Sequence, residues 1–480
     1  MSGAEVAVVG SGPNGLAAAV VLARAGVRVE VFEAAAEFGG GMRSKPLFDD
    51  RVVHDICSFG HAMAPASRFF REFDLEARGV RLLQPEAGYA HPLDRGAGIA
   101  YRSLDRTCER LGRDGRRWRE HVGPLVERSR EIVDLLLGDQ RHFGHAGTAL
   151  RLPAEIFKFG LAAEHLFTGQ EARGMIAGVA AHATGRLPSL PAGGVVAMLA
   201  PLAHSTGWTL PRGGSQRIAD ALVADLLAHG GKLHANTPIT DLRELNKYKV
   251  VLLNTAPRGL LDLAGALLPS RYRRTLEKVR YGPAAAKVDF LVTEPIPWAE
   301  PEVRVAGTVH VGGTMAEIFA SETDIARGKQ SARPFVLVSD PMVVDPTRGL
   351  PGKRPVLGYC HVPNGDPADV TGTVRRQIER FAPGFSDTII ESRCTTAPQL
   401  EAYNPNYVGG DISSGAVSVK QMIARPALRM NPYATPLGGV YLCSGGVTPG
   451  PGVHGMGGFH AAASILRREF GIREVPGLHP

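Results

Sequence analysis

The residues best suited to chemistry open the chain. Gly10–Ser11–Gly12–Pro13–Asn14–Gly15 is a GxGxxG turn, and the acid Glu33 follows about 20 residues on, the spacing of a dinucleotide site. Gly10 permits the tight turn, Gly12 lets backbone approach a pyrophosphate, and Gly15 lets helix and strand pack closely. The helix that follows the turn would aim its N-terminus at phosphate charge, and Glu33 would accept hydrogen bonds from an adenosine ribose. The motif alone admits FAD or NAD. A second glycine group, Gly39–Gly40–Gly41–Met42–Arg43–Ser44, permits close backbone approach and offers in Arg43 a planar donor suited to phosphate. A third, Gly445 to Gly458, is a long glycine/proline loop that would aim another helix N-terminus at a ligand. His54, Asp55 and His61 share one short loop, but their spacing fits no common zinc pattern and no metal is expected.

The elements around these groups read as follows. Residues 5–9 are an apolar strand, Leu16 to Ala25 an alanine-rich helix ended by Gly26, and Val27 to Phe32 a second strand closing on Glu33. Ser103 caps a helical region that runs to Leu137. Pro188, Pro191, Gly193 and Gly194 mark a loop. A helix at 218–227, a strand from Lys232 and an apolar strand at 249–257 return to the first sheet. Strands at 281–291, 303–311, 335–339 and 355–362, crossed by a helix at 370–381, make a second, largely antiparallel sheet. Val440 to Ser444 is a strand and Phe459 to Phe470 a helix, with no further strand and acid to complete a second nucleotide unit.

The expected fold class is α/β: a discontinuous Rossmann-type domain with a mixed α+β substrate domain containing the antiparallel sheet. The nucleotide domain is assigned 1–75, 205–280 and 433–480, and the substrate domain 76–204, mainly helical, and 281–432.

At 480 residues the chain is long enough for two domains. A net charge of +7 without a long Lys/Arg run favours acidic ligands or an anionic membrane surface over nucleic acid. Five scattered cysteines without CxxC spacing argue against disulfides and zinc and for a reducing, cytoplasmic setting. No signal peptide precedes the first strand, and no apolar run reaches the ~18 residues of a spanning helix. Arg106, Arg110, Arg113, Arg116, Arg117 and Arg119 form a basic stretch, read as a solvated face or as a peripheral contact with anionic lipid. Self-association is left open.

Gly10–Gly15, Glu33, Gly39–Ser44, His54–Ser58 with His61, Pro211–Gly214, Asn404–Gly410 and Gly445–Gly458 resemble the phytoene dehydrogenase-like branch of the FAD-dependent oxidoreductases, in the wider superfamily of the flavin amine oxidases. Within that branch the chain is most similar to the subgroup named for pyridine nucleotide-disulfide oxidoreductase domain-containing protein 2. The resemblance implies FAD. Gly10, Gly12, Pro13, Asn14 and Gly15 would hold its pyrophosphate and Glu33 its ribose. Gly40, Gly41, Arg43 and Ser44 would approach it, and residues 55–61 would run beside the isoalloxazine. Gly445, Gly446, Gly452, Val453 and Gly455 would approach the pyrimidine edge. Lys287 falls where flavin amine oxidases place a lysine near flavin N5. Two departures stand out: the stretch from Asp241 to Val250 is short, and His454 interrupts the terminal glycine loop, where it would face flavin or substrate.

The implied reaction is hydride transfer from a substrate carbon to flavin N5 with loss of a neighbouring proton, desaturating a CH–CH bond of an apolar substrate such as a polyene, carotenoid precursor or lipid. O2 or a membrane quinone would reoxidise the flavin. His61 and His454 are candidate proton acceptors because histidine titrates near neutral pH. The alternatives are C–N oxidation or double-bond isomerisation on the same scaffold, and a non-catalytic binding protein resembling the GDP dissociation inhibitors.

Overall fold

The apolar run Val6–Val9 becomes the central strand of a five-stranded sheet, in the order Val440–Leu442, Val250–Leu253, Val6–Val9, Val29–Phe32, Lys232–His234. Every pairing is parallel, and the strands come from three separated stretches of chain. The computed structural model describes residues 4–139 and 144–480. Val6–Val9 and Val250–Leu253 are buried along their whole length, as expected of parallel strands covered on both faces. The first helix, Pro13–Arg24, packs against the last helix, Met456–Glu469, and against Gln216–Ala228.

A seven-stranded sheet forms the second unit. Its order is Ile389–Thr395, Ala284–Val292, Arg354–Val362, Val336–Ser339, Ala306–Val311, Ala87–Pro92, Ala97–Tyr101. All pairings are antiparallel except Ala306–Val311 with Ala87–Pro92. The chain is therefore α/β, with a Rossmann-like parallel sheet beside an antiparallel-rich one. The last two strands of the larger sheet come from the stretch read from sequence as mainly helical. Glycine and alanine dilute their pattern: Ala87–Pro92 is AGYAHP, which carries no run of β-branched residues.

The two faces of this sheet differ. Ala286, Val288, Phe290, Val309, Val338 and Val356 alternate onto one face, in a core shared with Val374 and Ile378 of the helix Thr371–Glu379. The other face meets the helices Gln170–Ala181 and Met315–Ala326 and the segment around residues 53–55.

Residues 188–194, expected as a loop, are largely helix. Leu190–Leu202 is capped by the Ser189 side chain, and Pro191 sits in its first turn, where its missing N–H is no loss. Gly193 is there for contact, since a Cβ would run into the Ile156 carbonyl of the neighbouring helix Ala146–Leu161. The last helix likewise begins earlier than expected and takes in Gly457 and Gly458. In the basic stretch, Arg106 pairs with Glu86, Arg110 with Glu302 and Arg119 with Asp105. Among the described residues no helix is long and apolar enough to cross a membrane.

Candidate active site

The glycine turn closes as its spacing requires. Gly10 has φ +94°, its N–H donates to Phe32 O at 2.8 Å, and a Cβ on Gly15 would collide with the Gly10 carbonyl. Gly12 stands at the cap of Pro13–Arg24, so no side chain satisfies the first helical N–H groups, and the first turn holds no acid. That leaves the positive end of the helix dipole free for an anion. Glu33 lies at the end of the second strand, and its Oε2 accepts from Ser11 N at 3.0 Å and Ser11 Oγ at 2.6 Å. Its Oε1 lies 3.2 Å from the Arg43 guanidinium, whose Nε donates to Glu37 O at 3.0 Å. Arg43 is therefore anchored beside the acid that the ribose reading needs. Asn254 donates to Gly10 O at 3.4 Å, and Asn406 donates to Asn254 O at 3.1 Å, tying the loop after residue 404 to the turn. A dinucleotide such as FAD fits this donor set: an uncapped helix end beside a buried, oriented carboxylate.

The terminal glycine loop arrives at the same place. Asn14 Oδ1 accepts from Gly458 N at 3.4 Å, and a Cβ on Gly458 would run into the Asn14 carbonyl, so the N-terminal turns of the first and last helices touch. Gly455, with φ +69°, caps the last helix without a side chain. Gly446 packs on Pro257 and Gly452 on Met63, while Gly445 lies near Ser414. Val453 is half-buried in the same loop. His454 is fully buried, with Nδ1 accepting from Met456 N at 3.0 Å and Nε2 donating to Gly450 O at 3.2 Å. Both nitrogens are bound to backbone, and burial holds its pKa down at about 4, so His454 fastens the loop as a neutral ring.

Between these lies the segment 54–61. Gly41 O accepts from Ser58 Oγ at 2.8 Å, and Ser44 Oγ donates to Asp55 Oδ1 at 2.5 Å, so the Gly40–Ser44 turn and this segment brace each other. His61 Nε2 is 2.8 Å from Ser215 Oγ, which donates onward to Ser58 O at 2.7 Å, so the imidazole is the donor to Ser215. Burial lowers its pKa to about 4. Asp55 and Arg348 form a buried ion pair at 2.8 Å that joins the segment to the other unit. Burial pushes the Asp55 carboxyl up, but Arg348 and hydrogen bonds from Ser215 and Ser44 outweigh it and hold it below the usual range. Among the described residues no group of three or more His, Cys, Asp or Glu is arranged for a metal.

Lys287 sits on the sheet face turned to this segment. Its Nζ donates to Asp289 Oδ1 and Oδ2 at 2.6 Å each and to Asp55 O at 2.8 Å. His54 Nδ1 approaches Asp289 at 3.3 Å. The register extends this face across the sheet, pairing Lys287 with Tyr359, Tyr359 with Leu337, Leu337 with His310, and Tyr89 with Thr308. His361 follows two residues after Tyr359 and His91 two after Tyr89.

Cys57, Tyr359, Tyr407 and His182 each keep accessible surface, yet burial drives each away from its charged form: the thiol and phenols upward, His182 down to about 3. Each of these side chains is thus partly accessible within a desolvated part of the interior. Cys57 Sγ donates to Tyr407 Oη at 3.4 Å, and the Tyr359 ring centroid lies 5.9 Å from that of His361. His361 Nδ1 pairs with Glu322 Oε2 at 2.7 Å, both fully buried, and His182 Nε2 meets His310 Nε2 at 2.9 Å. Tyr89 Oη, His91 Nδ1, His310 Nδ1, Ser321 Oγ, Glu322 Oε1 and His361 Nε2 have no hydrogen-bond partner among the described residues. Each such atom costs ~1–3 kcal/mol in an apolar interior. A cleft of about 240 Å³ between Trp298, Val309, Val338 and Arg354 opens on the opposite, apolar face and holds none of these groups.

Sequence reasoning missed this wall, although a signal was present. Gly88–Tyr89–Ala90–His91, Gly307–Thr308–Val309–His310 and Gly358–Tyr359–Cys360–His361 repeat one pattern, hydroxyl at i and histidine at i+2, on three strands of one sheet. It also missed Asn254, Ser215 and Arg348, whose partners lie far away in the chain, and Asp289, which pairs with Lys287 two residues before it.

A model of the NAD(P)-binding Rossmann-like domain matches residues 8–73. The mouse pyridine nucleotide-disulfide oxidoreductase domain-containing protein 2 is 22% identical over 551 aligned residues, covering 96% of this chain and 93% of the relative. Among solved structures, putrescine oxidase bound to putrescine aligns with a TM-score of 0.60 at 15% identity, covering 97% of this chain and 99% of that one. Cyclohexylamine oxidase from Brevibacterium oxydans aligns with a TM-score of 0.57 at 15% identity, covering 98% and 99%. At such identity the likeness is one of architecture: the chain has the fold of these amine oxidases along nearly its whole length.

Proposed function

We propose that the chain is an FAD-dependent oxidoreductase that dehydrogenates a CH–CH bond of its substrate. One observation carries the cofactor: the N-terminal turns of the first and last helices, neither capped by a side chain of its cap residue, touch through Asn14 and Gly458 beside Glu33. The whole-length likeness to the mouse protein and to the amine oxidase fold supports the oxidoreductase reading. FAD bound there would supply the hydride acceptor.

The chain's residues would do the rest. The uncapped helix ends bind anionic groups, and Glu33, held by Ser11 and Arg43, orients a ribose. The 54–61 segment, locked by Asp55–Arg348 and His61–Ser215, forms one wall, and the Lys287–Tyr359 row forms another. As the hydride leaves one carbon, the proton on its neighbour passes to solvent or to a side chain of these walls, and the bonding pair becomes the C=C bond. We assign reoxidation to O2 or a quinone. C–N oxidation is the second reading, favoured by the buried, half-unpartnered carboxylate of Glu322 behind the same sheet face.

The absorbance spectrum of purified protein tests the first step. A flavin spectrum is expected, and a colourless protein that takes up no FAD defeats both readings. Anaerobic bleaching with polyenes, acyl chains and amines then separates them, since reduction by amines alone would overturn dehydrogenation.

A further inference from the structure

Exposed apolar side chains gather in one segment of the surface. Val419, Met422, Ile423, Leu428 and Met430 all reach solvent within residues 419–430, with Ile423 64%, Leu428 81% and Met430 89% exposed. Single exposed apolar residues are ordinary, whereas a cluster of five marks a surface that something covers. The segment is not a loose strap. Ser418 caps the short helix Val419–Ile423, and the Gln421 amide bonds the N–H and carbonyl of Arg280 at 3.3 and 3.1 Å. Arg425 is buried and donates to Ser413 O at 2.7 Å and Gly415 O at 2.5 Å. Pro426 and Ala427 are buried too, and Asn431 Nδ2 donates to Ser464 Oγ at 2.8 Å. Anchored residues are interleaved with the apolar ones, so the fold holds the latter outward.

A basic rim borders them. The helix Ser270–Glu277 and the residues after it present Arg271, Arg273, Arg274, Lys278 and Arg280, all exposed. The Arg429 guanidinium lies 5.6 Å from the Tyr272 ring centroid and Gln421 holds Arg280, so the two stretches adjoin at both ends. Lys420 and Arg429 bring the cations to seven. Glu277 is the one acid between residues 265 and 280, and none occurs between 412 and 431. In the basic stretch at 106–119, by contrast, Arg106, Arg110 and Arg119 are each paired with an acid.

We infer that this face docks on an anionic lipid bilayer, its apolar side chains entering the acyl boundary and its cations meeting lipid phosphates. A bilayer accepts protruding side chains without a matching groove. A second copy suits the face poorly, because a two-fold contact would set these cations against themselves. Docking needs neither flavin nor turnover, so its test is independent of the proposed chemistry.

Co-sedimentation of the purified protein with vesicles of phosphatidylglycerol and phosphatidylcholine measures it. Binding should be about tenfold or more stronger than to phosphatidylcholine alone. It should weaken as salt rises from about 0.1 to about 1 M, which shortens the screening length from ~10 to ~3 Å. Ile423→Gln with Leu428→Gln removes apolar contact, and Arg273→Gln with Lys278→Gln removes part of the rim. Each pair should weaken binding about tenfold at unchanged melting temperature, and either carries the test if the other does not fold. Absent binding, equal binding to both kinds of vesicle, or binding that both pairs leave intact overturns the inference. So does binding lost only in Arg113→Gln with Arg116→Gln, which would assign it to the other basic stretch. A lipid-free dimer on gel filtration that the Ile423→Gln, Leu428→Gln pair converts to monomer also overturns it and gives the face to a second copy.

Discussion

Lys287 gives its N–H bonds to Asp289 and to the Asp55 carbonyl, with 4% of its surface exposed. Breaking such a pair strands a buried carboxylate, and Lys287→Met should destabilise the protein by about 3–5 kcal/mol. Adding Asp289→Asn removes the stranded charge and should restore part of that loss, which a double-mutant cycle in urea measures. Lys287→Met with unchanged stability but lost turnover would mean the ammonium serves the reaction and not the fold. The charge in an apolar strand was legible; its partner was not sought, although Asp289, two residues on, has to share its face. His61 and His454 were read as candidate proton acceptors beside the expected cofactor. Nothing local in sequence showed that Ser215, and the backbone of Gly450 and Met456, already occupy their nitrogens.

Helices carry the plainest contrast. Gly193 and Gly194 adjoin in Leu190–Leu202, yet a Cβ on the first would hit the Ile156 carbonyl, and one on the second would meet nothing within 4 Å. Gly193→Ala should therefore destabilise by about 1–3 kcal/mol through overpacking. Gly194→Ala should stabilise by roughly 0.5–1 kcal/mol through helix propensity. Thermal melts that move in the same direction for both would refute the contact argument. Gly458→Ala should also separate the first and last helices at Asn14, and under the proposed FAD binding the variant should lose its flavin on gel filtration where the parent protein keeps it. The same glycines show why parts of the fold were legible and others not. The turn at Gly10–Gly15 is local, with strand, glycines and helix within one short stretch. The start of the helix at 190–202 looked like a loop because Gly193 answers to a neighbouring helix that sequence order does not reveal. The polar wall is further from reach still, since only the register of four strands turns three separate hydroxyl–histidine pairs into one surface.

The whole molecule stores neutral histidine. Burial lowers His61, His91, His204 and His454 to about 4 and His182 to about 3, and holds His310 well below its ordinary value. The unfolded chain protonates these rings near pH 6.5. Between pH 6.5 and about 4 the unfolded state therefore binds protons that the folded state refuses, and stability falls as pH falls. One pH unit into that window each ring removes on the order of 1 kcal/mol, so six together rival the ~5–15 kcal/mol that holds a domain folded. Asp340 and Asp411 act the other way, because burial raises both carboxyls and the folded state takes up their protons first. Asp55 and Asp289, held low, begin to cost stability only as pH falls through the ordinary carboxylate range, where the unfolded chain takes up their protons first. Histidines outnumber the opposing aspartates, so the melting temperature should drop steeply from pH 7 to pH 5. A melting temperature flat across that interval would show that the histidines are hydrated or already charged in the folded protein. The interior on which both the cofactor fit and the polar wall depend would then be wetter than its packing implies.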